Sequence, residues 1–187
     1  MLDTMKQVDG LTLKGRITIR SHPVGTCAEI RRLRADDRPW ESLALLHSGT
    51  VESVTENLIM TGSLTGRDLI VQWLLGNAVA NSIQAGINYI AIGTSATAAT
   101  AADTQLTAET NRAVIALATD TAFNEASLQA FFPDGVLANG TYREVGAFVN
   151  GGSGANTGKL FNHGILGVAY VKTASVDTTI EIDISFT

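Results

Sequence analysis

The side chains able to do chemistry are few and scattered. The three histidines, His22, His47 and His163, stand far apart, and none has another His, Cys or Asp at metal-ligand spacing. No Gly-x-Ser-x-Gly elbow is present to expose a nucleophilic serine. Gly151-Gly-Ser-Gly154 is rich in glycine, but no Lys-Ser/Thr pair and no helix start follow it. It therefore reads as a hairpin connection and not as a phosphate cradle. Glu181 and Asp183 fall on one face of a strand. A glycosidase pair needs carboxyls about 5–10 Å apart across a cleft, so solvent-facing strand neighbours are the simpler reading. The expectation is a non-enzymatic protein with no catalytic residue, cofactor or metal.

Two charged residues sit in apolar strands. In Tyr142-Arg-Glu-Val-Gly-Ala-Phe148, alternation puts Glu144 on the face of Tyr142 and Phe148, and Arg112 begins the apolar run Arg112-Ala-Val-Ile-Ala-Leu117. A buried carboxylate needs a partner, and a guanidinium offers two parallel donors. An Arg112–Glu144 structural salt bridge is predicted, with a catalytic Glu144 as the weaker alternative. Trp40, beside Pro39 in a polar stretch, is the one aromatic placed to be an exposed platform. It suits a sugar face or, as favoured here, an interface anchor. Trp73 is expected in a helix core.

The positioning elements are mostly strands. Leu11 to Arg20 alternates with period 2: Leu11, Leu13, Ile17 and Ile19 face one way, and Lys14, Arg16, Thr18 and Arg20 the other. Thr26 to Arg32 is predicted as the returning strand, with Cys27 a small residue in it. Trp40 to Leu46 could form a short helical turn. Thr65-Gly-Arg-Asp68 has the form of a capping box, with Thr65 as N-cap, opening a helix over about residues 66–83. Further strands are expected at Tyr89–Gly93, Arg112–Ala118, Tyr142–Val149, Leu160–Lys172 and Thr179–Phe186. Residues 94–110, mostly Ala, Thr and Ser, should be an extended loop, and residues 121–141 carry turn signals at Pro133-Asp-Gly135 and Asn139-Gly140. The expected fold is mainly β: an antiparallel β-sandwich body over residues 65–187 with one principal α-helix. Residues 1–64 would be an N-terminal β-strand arm or insertion for attachment, packed into the same compact unit.

Composition narrows the function class. The chain has 187 residues, 45% of them apolar and only 17% charged, against about 25% charged in a typical domain. Few charges and many small residues suit packing against other chains. The net charge of −5 argues against direct nucleic-acid binding. Residues 1–40 hold eight basic against five acidic side chains, a net of +3, and the remainder five against thirteen, a net of −8. This split favours head-to-tail or arm-to-body contacts between like subunits, with Arg16, Arg20, Arg31, Arg32 and Trp40 as assembly contacts. A single cysteine, no basic-then-apolar leader and no long apolar run together suggest manufacture without export and no membrane insertion.

The order of these segments carries a resemblance. Thr65-Gly-Arg-Asp-Leu-Ile70 is followed by Ile87-Asn-Tyr-Ile-Ala-Ile-Gly-Thr94, Asp103-Thr-Gln-Leu106 and Glu109-Thr-Asn-Arg112, then Tyr142–Phe148 and Thr179–Phe186. This succession, over residues 65–187, resembles small tailed-bacteriophage virion proteins of the tail-fibre-like, minor tail or capsid-associated kind. Residues 21–62 depart from it. The resemblance implies a β-sandwich that forms a homo-oligomer, often a trimer, bound to other virion proteins in a particle assembled in the bacterial cytoplasm. Its place would be on the tail, or on the capsid as cement or decoration. The alternative is a receptor- or glycan-binding head that meets a host surface glycan.

Overall fold

The structure is a computed structural model that describes residues 12–74 and 86–187. The strands are β1 (Leu13–Pro23), β2 (Thr50–Ile59), β3 (Ile87–Gly93), β4 (Glu109–Ala122), β5 (Glu125–Phe132), β6 (Gly140–Val149), β7 (Lys159–Lys172) and β8 (Val176–Phe186). The helices are α1 (Thr26–Ala35), α2 (Pro39–His47) and α3 (Gly66–Leu74). All strand pairs are antiparallel, and the sheet closes on itself in the order β1-β2-β7-β6-β3-β4-β5-β8. The mainly β, antiparallel expectation holds, but the architecture is an eight-stranded barrel and not a sandwich.

Closure comes from the first and last strands. β1 pairs with β8 in unbroken register from Leu13↔Phe186 to Pro23↔Val176, and on its other edge with β2. β1 and β2, expected as an attachment arm, are thus two of the eight staves. Period-2 alternation is the same in a sandwich and in a barrel, so it could not distinguish them. Ile17, Ile19, Ile90, Ile92, Val145, Ile180 and Ile182 point inward and are completely buried. Eight strands leave an interior just wide enough for such side chains to fill. β5 was hidden among the turn signals of residues 121–141, yet it contributes Leu128, Ala130 and Phe132 to the core.

The helices cover what the barrel leaves open. α3 buries Leu69 in the core, while Trp73, expected there, stays 36% exposed. Asp68 does reach back as a capping residue, but its Oδ2 accepts from the Leu64 N–H at 2.7 Å, and the Thr65 hydroxyl donates to the Gly62 carbonyl at 2.8 Å. The predicted continuation of this helix to residue 83 lies outside the described residues. Residues 26–35 form α1 where a returning strand was expected. Gly25, with φ of +92°, turns the chain out of β1 in a conformation that glycine adopts without strain. Cys27, Ile30 and Leu33 then fall on one buried helical stripe. α2, the anticipated helical turn, has Pro39 in its first turn, where a missing N–H costs nothing. The α1–α2 hairpin packs on the outside of the barrel through Cys27, Ile30, Leu46 and Phe131. The loop over residues 94–108 covers the outer face of β3, β6 and β7, anchored by Leu106 against Ala91, Phe148 and Leu160.

Candidate functional site

Three groups of polar side chains stand out among the described residues. The first lies beneath the 94–108 loop. Where the β6–β7 register shifts, between Tyr142 and Glu144, Tyr142 turns into the barrel, its ring stacked on Tyr170 at 6.3 Å, and Glu144 lies on the outer face with Phe148. Glu144 is therefore not a facemate of Tyr142. Its Oε1 accepts from the Ala108 N–H at 2.6 Å, and its Oε2 from the Thr107 N–H at 2.9 Å. Its Oε2 also meets His163 Nε2 at 3.0 Å, and His163 Nδ1 meets Asp103 Oδ2 at 2.8 Å. Burial disfavours the charge on His163, but the two carboxylates outweigh it and its pKa is raised. Burial likewise works against the Glu144 carboxylate, yet His163 and the Ala108 and Thr107 N–H groups hold its pKa below the usual range. The Asp103 carboxyl is also lowered: burial opposes this, and the Thr100 hydroxyl and N–H and His163 prevail. Histidine and glutamate are both fully buried and their polar atoms are engaged. The assembly holds the loop on the barrel, and of its three side chains Asp103 reaches the surface, 25% exposed.

The predicted Arg112–Glu144 bridge is corrected by this geometry. Arg112 is matched instead by Glu109, at 2.6 Å from Nε to Oε1 and 2.8 Å from Nη2 to Oε2. Its Nη1 donates to the Gly152 and Thr157 carbonyls, and its guanidinium lies 4.5 Å over the Phe148 ring. Glu109 also accepts from the Asn156 N–H. The pair ties the glycine-rich 150–158 turn to β4. The premise that both buried charges need partners holds; Glu144 finds its own in loop N–H groups and a histidine from β7.

The second place is the junction of α1 with the barrel. Asp177 accepts from the Cys27 and Asp134 N–H groups, and Lys172, buried to 2% exposure, donates to Asp134 Oδ1 at 2.8 Å. Burial, and then Asp177, push the Cys27 thiol up to about 12, so it is protonated and unreactive at neutral pH.

The third place is open. A cleft of about 450 Å³ runs between α2 and the outer face of β4, β5 and β8. Its floor is built from two rungs in register: Thr119, Ser127 and Asp183, then Gln129 and Glu181. Glu181 and Asp183, expected to face solvent, lie under the helical hairpin, with Glu181 only 6% exposed. Glu181 is answered by Arg20 at 3.3 Å, by His47 at 3.3 Å and by Gln129 Nε2 at 3.2 Å. Burial raises the Asp183 pKa, the neighbouring Glu181 and Glu125 add to it, and a Ser127 hydrogen bond and Arg16 oppose it. Trp40, 81% exposed, and Leu43 line the opposite wall. Trp40, Glu181 and Asp183 carry no signal in the sequence that joins them, because Trp40 lies on α2 and the two carboxylates on β8, far along the chain.

The predicted assembly arginines mostly spend their charge within the chain. Arg20 is paired with Glu181, and Arg32 with Glu29 at 2.6 Å and Asp36 at 2.7 Å. Arg31 lies 5.5 Å over the Phe131 ring, and Arg16 stands opposite Asp183 in the β1–β8 register. Trp40 has the exposure an assembly contact requires. No family of proteins, no curated protein and no solved structure matches this chain.

Proposed function

We propose that this chain is a non-enzymatic structural protein of a tailed-phage virion that assembles as a homo-oligomer, with a trimer expected, on the tail or the capsid. One observation carries this reading. Val51 and Val54 of β2 and Val168 and Val171 of β7 leave 46–66% of their surface in water on adjacent staves of a barrel wall. A closed barrel has no free edge through which to add a strand, so association must use such side-chain surfaces. Apolar side chains left in water on neighbouring staves offer a surface for contact. The order of segments from Thr65 to Phe186 supports the phage assignment, and the fully engaged His163–Glu144 pair supports a mechanical role over a chemical one. Gold labelling of this chain on purified particles of the encoding phage tests the placement. Lattice-wide label means capsid decoration, and label at one vertex means tail. Particles that carry no label would overturn the reading.

The cleft beside Trp40 favours a second reading, a receptor- or glycan-binding head on the phage tail. An exposed indole over a floor of hydrogen-bonding groups is the usual form of a sugar site.

A further inference from the structure

The cleft between α2 and the barrel is built for a ligand of definable chemistry. One wall is Trp40 and Leu43, an apolar surface that the fold leaves in water at a cost. The floor is polar: Ser127, Gln129 and Asp183. Gln129 is 1% exposed, and although its Nε2 donates to Ser127 and Glu181, its Oε1 has no hydrogen-bond partner. A buried acceptor without a donor costs free energy until something supplies one. Arg34, on the rim, likewise has an unpartnered buried Nε. One apolar face with unmet donors and acceptors opposite describes a molecule with an apolar face and a hydroxylated edge.

Charge decides between occupants. The carboxylates that line the cleft are Asp120, Glu181 and Asp183; Glu181 is paired with Arg20, and Asp183 stands opposite Arg16. With Arg34 also on the rim, acid and base are close to balanced, so neither a cationic nor an anionic ligand finds a strong excess of opposite charge. We infer that the cleft bounded by Trp40, Gln129 and Asp183 binds an uncharged pyranose sugar, its C–H face on the indole and its hydroxyls on the strand floor. This rests on the glycan-binding reading and adds to it the site and the sugar class.

The test is saturation-transfer NMR on the full chain with the methyl glycosides of glucose, galactose, mannose and N-acetylglucosamine. Glucuronate, N-acetylneuraminate and an oligolysine peptide serve as charged probes. At least one neutral glycoside should bind at millimolar strength, and the anions should not. Trp40→Ala and Asp183→Asn should each weaken that binding on the order of tenfold, with Trp40→Phe retaining part of it and melting temperatures unchanged. Neutral-sugar binding that survives both Trp40→Ala and Asp183→Asn would overturn the inference and leave the glycan reading standing with a site elsewhere. A wild-type chain that binds none of the neutral glycosides would overturn both. Preferential binding of oligolysine would replace the sugar with a basic protein partner.

Discussion

The charges that this fold buries are half legible in the sequence. Glu144 and Arg112 drew notice as charges in apolar strands, which is a signal a sequence can give. Their partners are not visible there, because Glu144 is met by residues from a loop and from β7, beside a register shift in the β6–β7 pairing. A double-mutant cycle separates the two pairings. Arg112 and Glu109 should couple strongly and Arg112 and Glu144 negligibly, with Arg112→Ala destabilising by about 3–5 kcal/mol in chemical denaturation, as when one partner of a buried pair is removed. The His163 network should also impose a pH window. The raised His163 pKa gives stability that is complete below its ordinary value of 6.5 and is lost as pH rises through the folded value. The lowered Glu144 and Asp103 give stability present above their ordinary values of 4.5 and 3.8 and lost as pH falls through the folded ones. The difference in unfolding free energy between wild type and His163→Gln should therefore peak between about pH 4.5 and 6.5. A difference that is flat across pH would contradict the network.

At the scale of elements, the strands with clean alternation are legible and so is the turn that becomes α2, and α1 is the principal loss. Residues 26–32 look extended when taken alone. The helical spacing of Cys27, Ile30 and Leu33 emerges only when the window passes Arg32. The cleft beside α2 is not legible either, because its carboxylates Glu181 and Asp183 lie on β8, far along the chain. β5 was missed for a different reason: Pro133-Asp-Gly135 closes it so soon that turn chemistry outweighed its apolar residues. The hairpin packs through its own small cluster, separate from the barrel core. Leu46→Ala, which empties that cluster at a fully buried position, should cost about 2–5 kcal/mol. The loss should be local. Hydrogen exchange should accelerate across residues 26–47 while β3, β6 and β7 stay protected, and acceleration spread evenly over the barrel would show that hairpin and barrel unfold as one.

At the scale of the molecule, the charge split between residues 1–40 and the remainder takes a different meaning once the barrel closes. β1 carries the basic face and β8 an acidic one, and closure sets them side by side, with Arg16 opposite Asp183 and Arg20 beside Glu181. Much of the asymmetry is thus satisfied inside one chain. Among the described residues, the apolar side chains of β2 and β7 and the exposed Trp40 are surfaces left for assembly. That the first strand meets the last is a contact between residues over 150 positions apart, which no local pattern announces. The account of an assembling building block is tested most directly by the mass of the purified chain in solution, measured by light scattering during size-exclusion chromatography. A species at three times the chain mass is predicted, falling to one chain mass in a Val54→Lys, Val168→Lys double variant with an unchanged fold. A wild-type chain that stays monomeric at high concentration would contradict it.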